Sequence, residues 1–194
     1  MGYLQCMADK KLHFTNDEEA NHLLVDEPLA LLIGFVLDQQ IPLTRAFAGP
    51  LELKKRLGGL HAATIASMPP DELEAIFREK PALHRFPSAM AQRTGDLCRT
   101  LVAEYNADAS LVWGDVKSGK ELRERIASLP GFGEMKVASL LAVLNKRLGV
   151  KPSDIGEVLP DYPTIGDVDS QPALISYQEY KRETKKAKSK GKTN

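Results

Sequence analysis

Three short stretches of this chain hold residue types whose chemistry goes beyond packing. Near the C-terminus, Asp167 and Asp169 are separated by one residue. In an extended segment their carboxylates would point to opposite sides, so only one could serve a given cleft. The structural alternative for either is to cap the helix that follows. Gln39 and Gln40 stand side by side where an apolar run meets Ile41-Pro42. They could satisfy the free carbonyls of a helix end, and a glutamine also offers both donors and acceptors to an outside partner. The third stretch is Leu129-Pro130-Gly131-Phe132-Gly133-Glu134-Met135-Lys136. Two glycines one residue apart allow backbone angles that a side chain would penalise. They also leave the first amides of a helix uncovered, which suits one phosphate of a nucleic-acid backbone. Phe132 would pin the tip of the turn. An ordinary αα-hairpin with a glycine turn is the alternative for that string.

The elements that must position these residues read as helices. Leu122, Ile126 and Leu129 recur at helical spacing before the glycine turn, with Ser118-x-x-Glu121 as a capping box. Val137, Leu140, Leu141 and Leu144 continue after it, with Gly149 as a C-cap. Earlier, Thr15-x-x-Glu18 opens a short helix through about Leu24, and Asp26 with Pro28 opens another. From Leu29 to Leu37 the second is apolar nearly all round, which makes it a central core helix. Residues 43–47 and 51–57 read as two helices broken at Ala48-Gly49-Pro50, residues 69–77 as one more, and Pro87 or Ser88 to Tyr105 as a long one. Trp113 is expected as a packing anchor. Residues 150–166 read as irregular, and Pro172 to Tyr180 as a final helix. No alternating run suggests a sheet.

The string LPGFGEMKVASLL resembles the helix-hairpin-helix of the base-excision DNA glycosylases, the HhH-GPD superfamily. Phe35-Val36-Leu37-Asp38-Gln39-Gln40-Ile41 resembles the glutamine element of its 3-methyladenine-type members, and Tyr162-Pro163-Thr164-Ile165-Gly166-Asp167-Val168-Asp169-Ser170 its aspartate segment. The resemblance spans residues 28–180 and is sharp at 35–41 and 129–138. It implies an all-α fold of two helical lobes with a site in the cleft between them. It implies that Gly131, Phe132, Gly133 and Lys136 meet the DNA backbone and that Gln39 and Gln40 contact the lesion or fill the gap it leaves. It also implies that Asp169, or else Asp167, stabilises the charge built on deoxyribose as an N-glycosidic bond breaks. Bifunctional members carry a lysine two residues after the second glycine. Met135 holds that place here, and Lys136 is rotated by one helical position, about 100°. The activity implied is therefore monofunctional base release from damaged double-stranded DNA, with a non-catalytic DNA-binding module or an interaction protein as the other classes.

Composition bounds these expectations. The 194 residues are 43% hydrophobic and 27% charged, as in a globular domain. Residues 12–180 are expected to form one domain, with residues 181–194 a basic, disordered tail of net charge +6 against −6 for the rest. An acidic body weighs against strong non-specific DNA binding, and the tail could compensate. Cys6 and Cys98 fit a reducing cytoplasm and cannot ligate a four-cysteine iron–sulfur cluster. The four histidines have no metal-ligand spacing. The chain is expected to be a cytoplasmic, nucleoid-associated monomer with no cofactor, metal or membrane span.

Overall fold

The computed structural model describes residues 10–190, so Cys6 and residues 191–194 lie outside it. Among the described residues the chain is all-α, with no strand. Helices α1 (Glu18–Asp26), α2 (Pro28–Leu37), α3 (Leu43–Leu57), α4 (Ala62–Ser67), α5 (Pro70–Arg78) and α6 (Pro87–Tyr105) come first. Then follow α7 (Gly119–Ser128), α8 (Glu134–Lys146) and α9 (Gln171–Lys190), with short 3-10 turns at Ala109–Val112, Ile155–Glu157 and Ile165–Asp167.

Helix α2 is buried from Leu29 to Leu37, because it has no polar face to offer water. It packs on α1, α3, α6 and the 3-10 turn at 109–112. Its seam with α3 interlocks through absent side chains. A Cβ on Gly34 would come within 2.7 Å of the Phe47 ring, and one on Gly49 within 2.5 Å of Leu37. That seam explains why α3 is continuous where the sequence suggested two helices. Pro50 sits inside the helix and forfeits a backbone hydrogen bond, a cost of about 3 kcal/mol in an isolated helix. Burial of Phe47, Leu51 and Leu53 on either side offsets it.

Side chains tie off the helix ends. Asp17, rather than Thr15, caps α1, while Thr15 joins a buried network with Asn21. Ser118 caps α7 by accepting the Glu121 amide at 3.1 Å, and the Glu121 carboxylate takes the Lys117 amide. Gly149, at φ +73°, lets the Val150 amide reach back to Leu144 and close α8. Arg56, almost fully enclosed, donates to the carbonyls of Ile76, Glu79 and Pro81 and so anchors the end of α5.

The aspartate segment is folded rather than extended. Thr164 and Asp167 form a capping box around the 3-10 turn at 165–167. Gly166 presses on α8 so closely that a Cβ would lie 2.6 Å from the Ala142 carbonyl carbon. Helix α9 does not stop at Tyr180 but runs to Lys190, so no break marks the expected start of a disordered tail at residue 181.

Replacing Gly166 with alanine should lower unfolding free energy by about 1–3 kcal/mol in a denaturant melt, since backbone rather than a mobile side chain opposes the methyl. Gly156→Ala, with open space around its Cβ position, should stay within about 0.5 kcal/mol.

Candidate functional site

The glycine turn is rigidly seated. Helices α7 and α8 pack on each other across it, and Phe132 is only 6% exposed. Phe132 lies 6.2 Å from Phe35 in α2, which meets Phe47 edge-on at 5.2 Å, and Phe47 meets Phe14 at 5.1 Å. A chain of aromatic rings therefore runs from the turn into the core. Gly131 takes φ +84° with nothing near its Cβ position. Gly133 is the N-cap of α8 and supplies no capping side chain, so the first amides of α8 are left for other acceptors. The one acid in that first turn, Glu134, is drawn toward α7 by Arg123.

Lys136, expected at the DNA backbone, is partly buried. Its ammonium donates to the Val36 carbonyl at 3.2 Å, at the end of α2. Burial pushes its pKa down to about 8, against the pull of Asp38, with Arg93 adding to the depression. The residue left outside is Met135, 62% exposed, with the Tyr162 hydroxyl 3.7 Å from its sulfur. The physical reason is the α8 register: Val137, Leu140 and Leu141 are buried and fix which neighbours turn inward.

Lys136 belongs to a cavity of about 680 Å³ between the end of α2, α8, the 162–165 segment and α9. Its walls are Phe35, Met135, Tyr162, Pro163, Ile165, Tyr177 and Tyr180, and its charged groups are Asp38, Lys136, Lys181 and Lys185. Lys181 lies 3.6 Å from the Asp38 carboxylate and 5.8 Å from the centre of the Tyr177 ring. Burial first, and Asp38 after it, raise the Tyr177 pKa and keep its hydroxyl protonated. This shape and lining suit a flat organic ligand. Sequence reasoning missed Asp38, Tyr162, Tyr177 and Tyr180. Asp38 lay inside the glutamine element, but only the fold shows that the tyrosines converge.

The two aspartates singled out by sequence do not line the cavity. Asp167 is engaged structurally. Partial burial opposes its charge, yet the Lys146 ammonium and the Thr164 amide and hydroxyl hold its carboxyl below the usual range. Asp169 is exposed and accepts the Ser170 hydroxyl. Capping of α9 falls to Ser170, which accepts the Ala173 amide. Asp169 therefore has an accessible carboxylate and no capping duty.

The glutamines part company. Gln39 accepts at its side-chain oxygen from Arg93 and at its carbonyl from His84 Nε2 at 2.9 Å. Gln40 is exposed with φ 55°. His84, 1% exposed, accepts the Phe86 amide at Nδ1, so its donating nitrogen is Nε2 and the ring is neutral. Burial lowers its pKa, Arg45 and Arg85 push the same way, and the Gln39 and Leu37 carbonyls oppose them. The next residue, Phe86, is 40% exposed under the Arg85 guanidinium, 4.7 Å away.

Among the described residues no group of His, Cys, Asp and Glu is arranged to hold a metal ion. No single described helix is long and apolar enough to cross a membrane. The Cys98 thiol is buried, and burial pushes its pKa up to about 12, which leaves it unreactive. Comparisons with protein-family models, with curated proteins and with solved structures return no match.

Two outcomes test this geometry. A His whose folded pKa is depressed contributes stability that is complete above its unfolded value, about 6.5, and is lost as pH falls toward the folded value. The wild-type melting temperature should therefore decline below about pH 6.5 more steeply than that of His84→Gln. If the turn holds one phosphate of duplex DNA, as the resemblance implies, Gly131→Asp should weaken that binding and reduce the magnitude of the salt slope by about one, as read by fluorescence anisotropy across a salt series.

Proposed function

We propose that this protein is a DNA glycosylase with a two-lobed helix-hairpin-helix fold that hydrolyses the bond between deoxyribose and a damaged, extruded base. The observation that carries the reading is mechanical coupling. The uncapped amides of α8, Phe132, Phe35 and the Asp38-Gln39-Gln40 turn form one continuous packed unit beside the aromatic cavity. A phosphate held at residues 131–134 would thus be held at a fixed distance from whatever enters the cavity. Gln39, gripped through both of its oxygens, keeps its amide donors for the face of the duplex from which a base has left.

In the reaction proposed, the C1′–N bond breaks and its electron pair stays with the base. Water then bonds to C1′ and loses a proton, giving the free base and an abasic sugar. A carboxylate beside the sugar stabilises the intervening positive charge. Asp169 is the proposed group, because it is exposed and does not cap the helix that follows. Asp38 is the second candidate, because it lines the cavity.

One observation favours a second mechanism. The Lys136 amine in the cavity has a pKa of about 8, so an appreciable fraction is neutral and nucleophilic at mildly alkaline pH. It could attack C1′ directly, expel the base and leave an imine with the opened sugar. A base-release assay on a panel of modified duplexes separates these routes. Asp169→Asn should bind duplex normally and lose about 100-fold or more in release. Loss in Asp38→Asn alone would move the role there, and activity in both variants would remove this mechanism. Borohydride should trap no covalent adduct under the hydrolytic reading. An adduct that vanishes in Lys136→Ala would establish the amine route instead.

A further inference from the structure

We propose that the cavity selects neutral lesion bases over cationic alkylated ones, and that Lys181 and Lys185 on α9 set this preference. The inference rests on the glycosylase reading for the nature of the ligand, but its basis is the charge distribution of the cavity itself. Asp38 is the one carboxylate among the lining residues, and it faces Lys136 and Lys181. Asp167 is near enough to act on Tyr177, but it is bridged to Lys146 and to the Thr164 amide. Arg93 adds a further positive charge behind Lys136. Among the described lining residues no carboxylate stands without a cationic neighbour.

Aromatic walls could attract a cationic ring through their π faces. Here that option is already taken on Tyr177, where the Lys181 ammonium stands over the ring. On that ring a cationic base would have to displace a tethered cation that the Asp38 carboxylate also holds.

The chemistry of departure points the same way. A purine nucleotide alkylated at N3 or N7 carries a positive charge while bonded and loses its base as a neutral molecule, so it needs less help from the protein. A neutral base takes the bond's electron pair and leaves with negative charge until it is protonated. Fixed ammonium groups beside it stabilise that developing charge. The lysines on α9 thus repel the easy leaving groups and assist the difficult ones. They belong to the segment whose basic composition alone suggested only a diffuse DNA-binding arm.

The test uses the full chain at mildly acidic pH on duplexes carrying hypoxanthine, ethenoadenine or 7-methylguanine. Calorimetric binding of adenosine and of the cationic nucleoside N1-methyladenosine runs in parallel. The expected result is release of one or both neutral bases, 7-methylguanine released no faster than without protein, and binding of adenosine in preference to its methylated cation. Lys181→Glu and Lys185→Glu should each shift both ratios toward the cation by about tenfold. Lys185 is exposed on α9, so its variant guards against a loss of folding at the Asp38 contact. Faster release of 7-methylguanine, or ratios unmoved in both variants, would overturn the inference. Charge-selective nucleoside binding without base release from any duplex would overturn the glycosylase reading and leave the selection standing. Neither release nor binding would overturn both.

Discussion

The nine consecutive buried residues of α2 are the constraint on which this fold depends. A helix with no polar face cannot end at a surface on any side, so other elements must enclose it completely. Helices α1, α3 and α6 supply most of that enclosure, and the α7–α8 unit reaches it through Phe132. Enclosure requires close approach, and Gly34 and Gly49 permit it by leaving their Cβ space to Phe47 and Leu37. A proline in the middle of α3 is tolerated for the same reason: the alternative is to break the seam along which α2 is buried.

Enclosure of α2 also decides where its polar end emerges. The helix stops at Leu37, and the turn that follows carries Asp38, Gln39 and Gln40 out of the core. Its carbonyls must find donors. Lys136 serves Val36, and His84 serves Gln39. Both donors come from distant parts of the chain, one from α8 and one from the loop before α6. The backbone needs of a single buried helix end therefore bring an amine, a carboxylate and a neutral imidazole to one place. The pKa values of the amine and the imidazole are both depressed, with burial at the end of the same helix as the first cause.

The outer wall of the cavity comes from α9, whose first half is apolar enough to pack and whose second half is rich in lysine. It brings Tyr177 and Tyr180 together with Lys181 and Lys185. Aromatic surface and positive charge therefore share one helix. The acidic body of the protein and its basic end, which look like separate features of composition, meet at the Lys181–Asp38 contact.

Most of the element order could be read directly from residues. The apolar run at 29–37, the Ser118 cap, the Pro-Gly-Phe-Gly turn and the Gly149 stop all act locally, through propensity, capping and φ angles that a short window contains. The continuity of α3 was hidden, because proline reads locally as a breaker and only burial against α2 outweighs it. Resemblance favoured Asp169 over Asp167, but only the turn at 165–167 shows one of them in a capping box and the other exposed. The direction of Lys136 could not be counted from the glycines. It depends on which face of α8 the buried Val137, Leu140 and Leu141 present to the core, a property of packing rather than spacing. The cavity is further still from local information, since Asp38, Lys136, Tyr177 and Lys181 come from three helices or their ends. Sequence by itself determined which helices form and where they can turn. Tertiary structure alone decided which polar side chains are held inside, because that is settled by the partners a buried helix end must find.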